Sequence, residues 1–266
     1  MTKNKELETF YQGVYLKGEK KHFTPFMTKC TTSSEAKEII KEINWKSKTV
    51  LDVGCGTGNF AYAVAKKGAK HVLGIDYAKQ AIAIAEKNHK HNRLKFQKMD
   101  AKEIKEKFDI IVSIGTLEHM DNPIKILKIF KKHLKHNGKI IITSPNWSNP
   151  RGDMLIILYF LFDAPITLAD LHYLTPKDFE TWAKKLNMKL KWRTFEKSWA
   201  HGDILMKDFK RRIPNILRDM KIPVKKQKVN MLLKWIKKNI AGFDNSLDHS
   251  GAIGIYIFTQ KKANRT

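Results

Sequence analysis

Cysteine is almost absent: Cys30 and Cys55, two among 266 residues, cannot build a disulfide framework. A reducing, cytoplasmic compartment is therefore expected. Long apolar runs are missing too. The longest, Met154 to Phe162, has nine residues, against the roughly 20 that a spanning helix needs, and the charged opening Met1 to Glu8 leads into no secretory apolar stretch. The chain is expected to be soluble, with peripheral membrane contact as the furthest it would go. Acids are scarce beside bases, 26 against 51, for a formal net charge of +25. Arginine is scarce within those bases: seven residues, at 93, 151, 193, 211, 212, 218 and 265. Lysine without arginine gives a diffuse positive field rather than the planar forks that read phosphates and base edges. Nucleic acid is thus the lesser expectation for a partner, and a bias of composition the greater. No pairing of cysteine and histidine has zinc spacing, so no metal is expected, and His89-Lys90-His91 reads as an exposed helix end.

What is present centres on Val50-Leu51-Asp52-Val53-Gly54-Cys55-Gly56-Thr57-Gly58-Asn59-Phe60, an apolar run ending in an acid and then three glycines on alternate positions. It reads as strand, tight turn and helix start. Such a turn lets the backbone approach a ligand and aims the first N–H groups of the helix at it. The dinucleotide spacing G-x-G-x-x-G is not met, because Asn59 fills the last slot. Further strands follow in order: Val72 to Asp76, whose acid lies 18 residues after Gly58, Lys95 to Ala101 with Asp100 near its end, and Phe108 to Ser113. Their carboxyl ends would open on one crevice, where open α/β sheets bind ligands.

These residues resemble the class I S-adenosylmethionine-dependent methyltransferases, and among them the small-molecule branch that includes the ubiquinone O-methyltransferases. The resemblance spans roughly residues 45 to 195 and rests on D-V-G-C-G-T-G, G-I-D, M-D-A, F-D-I-I-V-S with L-E-H after it, and Leu134 to Ile142. It implies an α/β, Rossmann-like sheet of seven mostly parallel strands with helices on both faces, an antiparallel last strand, and helical insertions forming a cap. The expected organisation is an N-terminal helical lid over 1–45, a core over 46–146 and 175–262, an apolar cap insertion over 147–174, and a basic helical insertion over 203–245. Aromatic residues such as Tyr11 and Tyr15 would line the lid or form one packed helix stripe.

Along the chain, Ser33 is a natural N-cap for a helix burying Ala36, Ile39, Ile40 and Ile43. Phe60, Ala61, Val64 and Ala65 make the next apolar face, stopped at Gly68, and Ala78, Ala81, Ile82 and Ala85 the one after. Asn122 and Pro123 open a helix over Ile124, Leu127, Phe130 and Leu134 that Asn137-Gly138 would end. Thr175 and Pro176 open another, over Phe179, Trp182 and Leu186. The uniformly apolar Met154 to Phe162 is expected to be buried, with a greasy acceptor pocket or a membrane surface as the alternatives. Residues 203 to 241 read as amphipathic helices broken at Pro214 and Pro223, with Leu232, Trp235, Ile236 and Ile240 as the apolar stripe. From Lys207 to Lys238 twelve bases stand against Asp208 and Asp219.

By resemblance the cofactor would be S-adenosylmethionine. Asp52 would meet its amino group, Gly54, Cys55, Gly56 and Gly58 its methionine and ribose parts, and Asp76, followed by Tyr77, its ribose hydroxyls. Asp100 would take the adenine amino group, with Met99 and Ala101 flanking the ring, and Ser113 and Ile114 would follow the methionyl chain. A hydroxyl acceptor would profit from a base, for which His119 and His172 are the candidates. The absence of an Asn/Asp-Pro-Pro-Tyr segment after the fourth strand argues against nucleobase-amine chemistry. A small, lipid- or quinone-like acceptor is the favoured reading. An RNA-modifying enzyme is the alternative, motivated by the net charge, and a silent domain that keeps the cradle is the blandest.

Overall fold

A computed structural model describes residues 32–167, 170–197, 202–241 and 250–261. The expected lid aromatics Tyr11 and Tyr15 lie outside them. The first helix, α1 (Ser34–Glu42), is capped by Ser33, whose hydroxyl accepts the Ala36 N–H, and it buries Ala36 and Ile39. Strand and helix then alternate as β1 (Thr49–Val53), α2 (Asn59–Lys66), β2 (His71–Asp76), α3 (Lys79–Asn88), β3 (Leu94–Lys98) and β4 (Phe108–Ile114). Next come α4 (Pro123–Lys132), β5 (Leu134–Pro145), α5 (Pro150–Phe162), α6 (Pro176–Lys185) and β6 (Met188–Phe195). The chain closes through α7 (Gly202–Asp219), α8 (Lys226–Asn239) and β7 (Ile253–Gln260).

The seven strands form one sheet in the order β3-β2-β1-β4-β5-β7-β6. β1 pairs in parallel with β2 and β4, β2 with β3, and β4 with β5, while β7 runs antiparallel between β5 and β6. Every crossover helix among the early strands buries the face its spacing announced: Phe60, Ala61, Val64 and Ala65 on α2, and Ala81, Ile82 and Ala85 on α3. The order reverses at β1, and the loops after β1 and β4 leave the sheet at that switch point.

Several local expectations are corrected. α4 stops at Lys132, not at Asn137-Gly138, and Leu134 already pairs with Phe108 in β5. Asn137 takes φ +60 within a register shift between Phe108 and Ile110, so this pair marks a bulge rather than a helix end. On α4 it is Ile126, not Ile124, that is fully buried beside Leu127 and Phe130. β3 ends at Lys98, and Asp100 instead caps a 3₁₀ turn by accepting the Lys102 N–H. α7 continues through Pro214, held by Leu205, Phe209, Ile213 and Ile216 against the core, so the chain breaks once, around Pro223. His89 is not exposed in the manner expected: its ring stacks on Tyr62 at 4.7 Å and Nε2 meets Asn59 Oδ1 at 2.9 Å, and burial lowers its pKa.

The described residues form two compact units, one within 32–144, 180–191 and 256–261, the other within 145–167, 170–179, 192–197, 202–241 and 250–255. Within the second, Trp147, Leu155, Ala164, Ile166, Leu205, Phe209, Ile213, Val229 and Ile236 make a core of their own. At its centre Asp208, whose side chain is 1 % exposed, joins Arg151 at 2.9 Å and Arg212 at 3.0 Å, and Arg212 also donates to the Ile166 carbonyl.

Candidate active site

In the first unit β1 delivers Asp52 to the sheet's carboxyl edge, and the chain then turns through the glycines. Gly54 and Cys55 donate their N–H groups to the Ile75 carbonyl at 2.8 and 3.0 Å, which ties the turn to the end of β2. Asp76 completes the tie: Oδ2 accepts the Gly56 N–H at 3.0 Å and Oδ1 the Ala78 N–H at 2.8 Å. The Met99 N–H reaches the Asp76 carbonyl, so the end of β3 closes on the same corner. Gly58 caps α2 in the left-handed region, φ +80, and a Cβ there would lie 2.4 Å from Phe96 Cζ. Gly54, φ +73, would place one 2.4 Å from Thr116 Cγ2. Both glycines are thus demanded by backbone sign and by the protein's own packing.

Thr116 stands at the centre of the other half of this edge. Its hydroxyl is hydrogen-bonded to Ser113 and reaches the Val53 carbonyl at 3.4 Å, stitching β4's loop to β1's. The Gly115 N–H is held by the carbonyl and the hydroxyl of the buried Thr143, both at 3.1 Å. Ser113 and Glu118 are buried beside it.

The electrostatics are lopsided. Asp52 is 2 % exposed and Asp76 7 %, and among the described residues neither forms an ion pair and Asp52 Oδ2 accepts no hydrogen bond. Burial, then the neighbouring Asp76, pushes the Asp52 carboxyl up to about 8. Burial also raises Asp76, against the pull of its two backbone N–H donors, and burial with both acids raises the Cys55 thiol, away from the thiolate form. Two buried carboxyls with no counter-charge among the described residues make a site that a cationic, hydrogen-bond-donating ligand would complete.

A family model described as a methyltransferase domain matches residues 44–230. The chain belongs to the methyltransferase-domain family. This class I methyltransferase takes S-adenosylmethionine as its cofactor, and the orphaned Asp52 carboxyl fits a donor that carries an ammonium. The methyltransferase is 26 % identical to the ubiquinone biosynthesis O-methyltransferase of Pseudomonas fluorescens (strain SBW25) over 163 residues, 58 % of this chain and 69 % of that one. Its fold is that of an S-adenosylmethionine-dependent methyltransferase from Archaeoglobus fulgidus, TM-score 0.55 at 17 % identity, covering 85 % of this chain and 92 % of that one. It is likewise that of the magnesium protoporphyrin IX methyltransferase of Synechocystis PCC 6803, solved with bound SAH, TM-score 0.54 at 12 % identity, covering 98 % and 88 %.

Of the residues expected in the methyltransferase site, Gly54, Cys55, Gly56 and Asp76 converge through the hydrogen bonds just described, with Asp52 leading into the same turn and Gly58 closing it. Tyr77 and Met99 follow directly, and Ala101 is buried in the 3₁₀ turn. Asp100 is exposed at that turn. Ser113 is buried and Ile114 half-buried at the end of β4. His119 ends a 3₁₀ turn, Leu117–His119, in the first unit, and His172 lies on the extended segment before α6 in the second. Thr116 and Glu118 stand outside the residues expected to hold the donor. Their signal is the polar Ser113-Ile114-Gly115-Thr116 segment at the end of β4 and the L-E-H that follows it.

The second unit adds a cluster that no motif announced. Trp147 and Tyr173 rings meet edge-on at 4.8 Å, Tyr159 meets Tyr173 at the same distance, and the Arg151 guanidinium lies 5.8 Å over the Trp147 ring. The Trp147 indole N–H is buried and has no acceptor among the described residues.

Proposed function

We propose that this chain transfers a methyl group from S-adenosylmethionine to a hydroxyl of a small, lipid- or quinone-like acceptor. The observation that carries the reading is the Asp52 carboxyl, buried beside Asp76 and without a partner among the described residues. The donor supplies an already activated methyl on a sulfonium, so the protein's share is binding, orientation and exclusion of water. Asp52 would hold the donor's amino group as a carboxylate, gaining the counter-charge it lacks. Asp76 keeps acceptor capacity beyond its two backbone bonds, and would use it on the ribose hydroxyls. Asp100, Met99 and Ala101 would border the adenine, and Gly56, Cys55, Tyr77, Ser113 and Ile114 the rest of the molecule.

For the acceptor, the reading draws on relatives named for ubiquinone biosynthesis O-methylation and on the apolar helix α5. His119 or His172 would take the hydroxyl proton as the new bond forms. Alanine at the working base should lower turnover by about two to four orders of magnitude with little change in donor affinity, and alanine at the other should not. Donor turnover across phenol, quinol, amine and RNA pools tests the assignment: methylation confined to RNA would replace it. That second reading draws on the +25 charge, and a steep fall of RNA affinity with salt would accompany it.

A further inference from the structure

The expectation that Met154 to Phe162 is buried holds only for Leu155, with Met154, Ile156, Leu158 and Tyr159 partly buried against the same core and Ile157 exposed. α5 seats Leu155 in the second unit's core, yet Phe160 is 73 % exposed, Leu161 69 % and Phe162 56 %. α8 departs from expectation in the same way. Its buried stripe is Val229 and Ile236, with Leu233 and Ile240 packed beside them, whereas Leu232 and Trp235 point outward. Met231 and Trp235 fall at i and i+4, on the side away from Val229 and Ile236, and Leu232, 42 % exposed, lies at the edge of that side next to Ile236. Met231 is 64 % and Trp235 57 % exposed.

This outward face is basic as well as apolar. Lys228, three residues before Met231, and Lys238, three after Trp235, lie on it, and Lys234 flanks it. α8 contains no acid, and among the described residues none of Lys225, Lys226, Lys228, Lys234, Lys237 and Lys238 forms an ion pair. We infer that the outward face of α8, together with the exposed end of α5, docks the protein on an anionic phospholipid bilayer. Water is the wrong solvent for Phe160, Leu161 and Trp235, and the headgroup boundary accepts them. Each lysine near a negative leaflet contributes by itself, and tryptophan suits the boundary because one edge is apolar and the other donates a hydrogen bond. A nucleic acid would satisfy the lysines but would leave the phenylalanine and leucine side chains uncovered, and the face carries no arginine for phosphate forks. No helix among the described residues is long and apolar enough to cross a membrane, so the contact is one of lying on the surface. The inference holds whatever the acceptor is.

The full chain is mixed with vesicles of phosphatidylcholine alone or with an equal part of phosphatidylglycerol, and partition is read by sedimentation across a salt series. Binding to the anionic vesicles, weakening with salt, is the expected result. Replacing Lys228, Lys234 and Lys238 by Gln should weaken it roughly a hundredfold, about fivefold for each charge, and Phe160→Ser with Leu161→Ser should weaken it at least tenfold. Circular dichroism and donor calorimetry on the same variants verify that they stay folded. Equal partition into neutral vesicles, indifference to the lysine changes, or no partition at all would overturn the inference. So would RNA binding that is lost through the same three lysines while vesicles are ignored, which would assign the face to nucleic acid.

Discussion

A carboxyl held at about 8 stays protonated at neutral pH in the free protein, and a cationic ligand must take that proton away before it can pair with Asp52. At pH 6 only about one molecule in 100 carries the ionised form, so an ammonium that pairs with the carboxylate binds roughly 100-fold more weakly than its intrinsic affinity, a cost of about 2.7 kcal/mol. Between about pH 5.5 and 6.5 an α-amino group keeps its own proton. Donor affinity should therefore rise close to tenfold per pH unit over that window, with nearly one proton released per molecule bound. Calorimetry in two buffers of different ionisation enthalpy reads both quantities. In Asp52→Asn the slope and the released proton should disappear, and affinity at pH 7.5 should fall by about one to two orders of magnitude as a charge-assisted hydrogen bond becomes a neutral one. A flat affinity profile in the wild-type protein would refute the reasoning. A slope that survives in Asp52→Asn would move the proton to Asp76.

The same carboxyl makes the ligand-free protein's stability fall as pH rises. Its pKa is higher folded than unfolded, so its contribution is whole below about pH 4 and is lost through about pH 8, at up to roughly 1.4 kcal/mol per unit; urea midpoints from pH 5 to 8 should show this, and Asp52→Asn should flatten the trend. Gly58→Ala sets a Cβ against Phe96 and Ala85 at φ +80. It should lower stability by about 1–3 kcal/mol and abolish donor binding, whereas unchanged donor affinity would show that the turn can be rebuilt around a side chain. Asp208→Ala strands the half-buried-to-buried guanidiniums of Arg151 and Arg212 and should cost about 3–5 kcal/mol in denaturant unfolding. A loss below about 1 kcal/mol would show that solvent already screens the cluster.

What the linear chain determined by itself was everything governed by neighbours in sequence. The 3.6-residue spacing of Phe60, Ala61, Val64 and Ala65 and of Ala81, Ile82 and Ala85 named the buried faces before any tertiary contact was known. Ser33 and Asn122 announced their caps, because capping closes within three residues. The glycine turn and the acids at the ends of β1 and β2 were legible in the same local way. Tertiary structure decided what depends on distant partners. That Gly54 and Gly58 yield room to Thr116 and Phe96 follows from packing between strands far apart in the chain. Asn137-Gly138 looks like a helix stop and is a sheet bulge, because β5 finds β4 before the helix can continue. Which face of α8 meets the core was hidden because the helix is apolar on two sides, and periodicity alone does not rank two stripes. The choice fell to Val229 and Ile236, which meet Leu155 and Phe209 in one cluster, and the side chains left outside carry the surface chemistry.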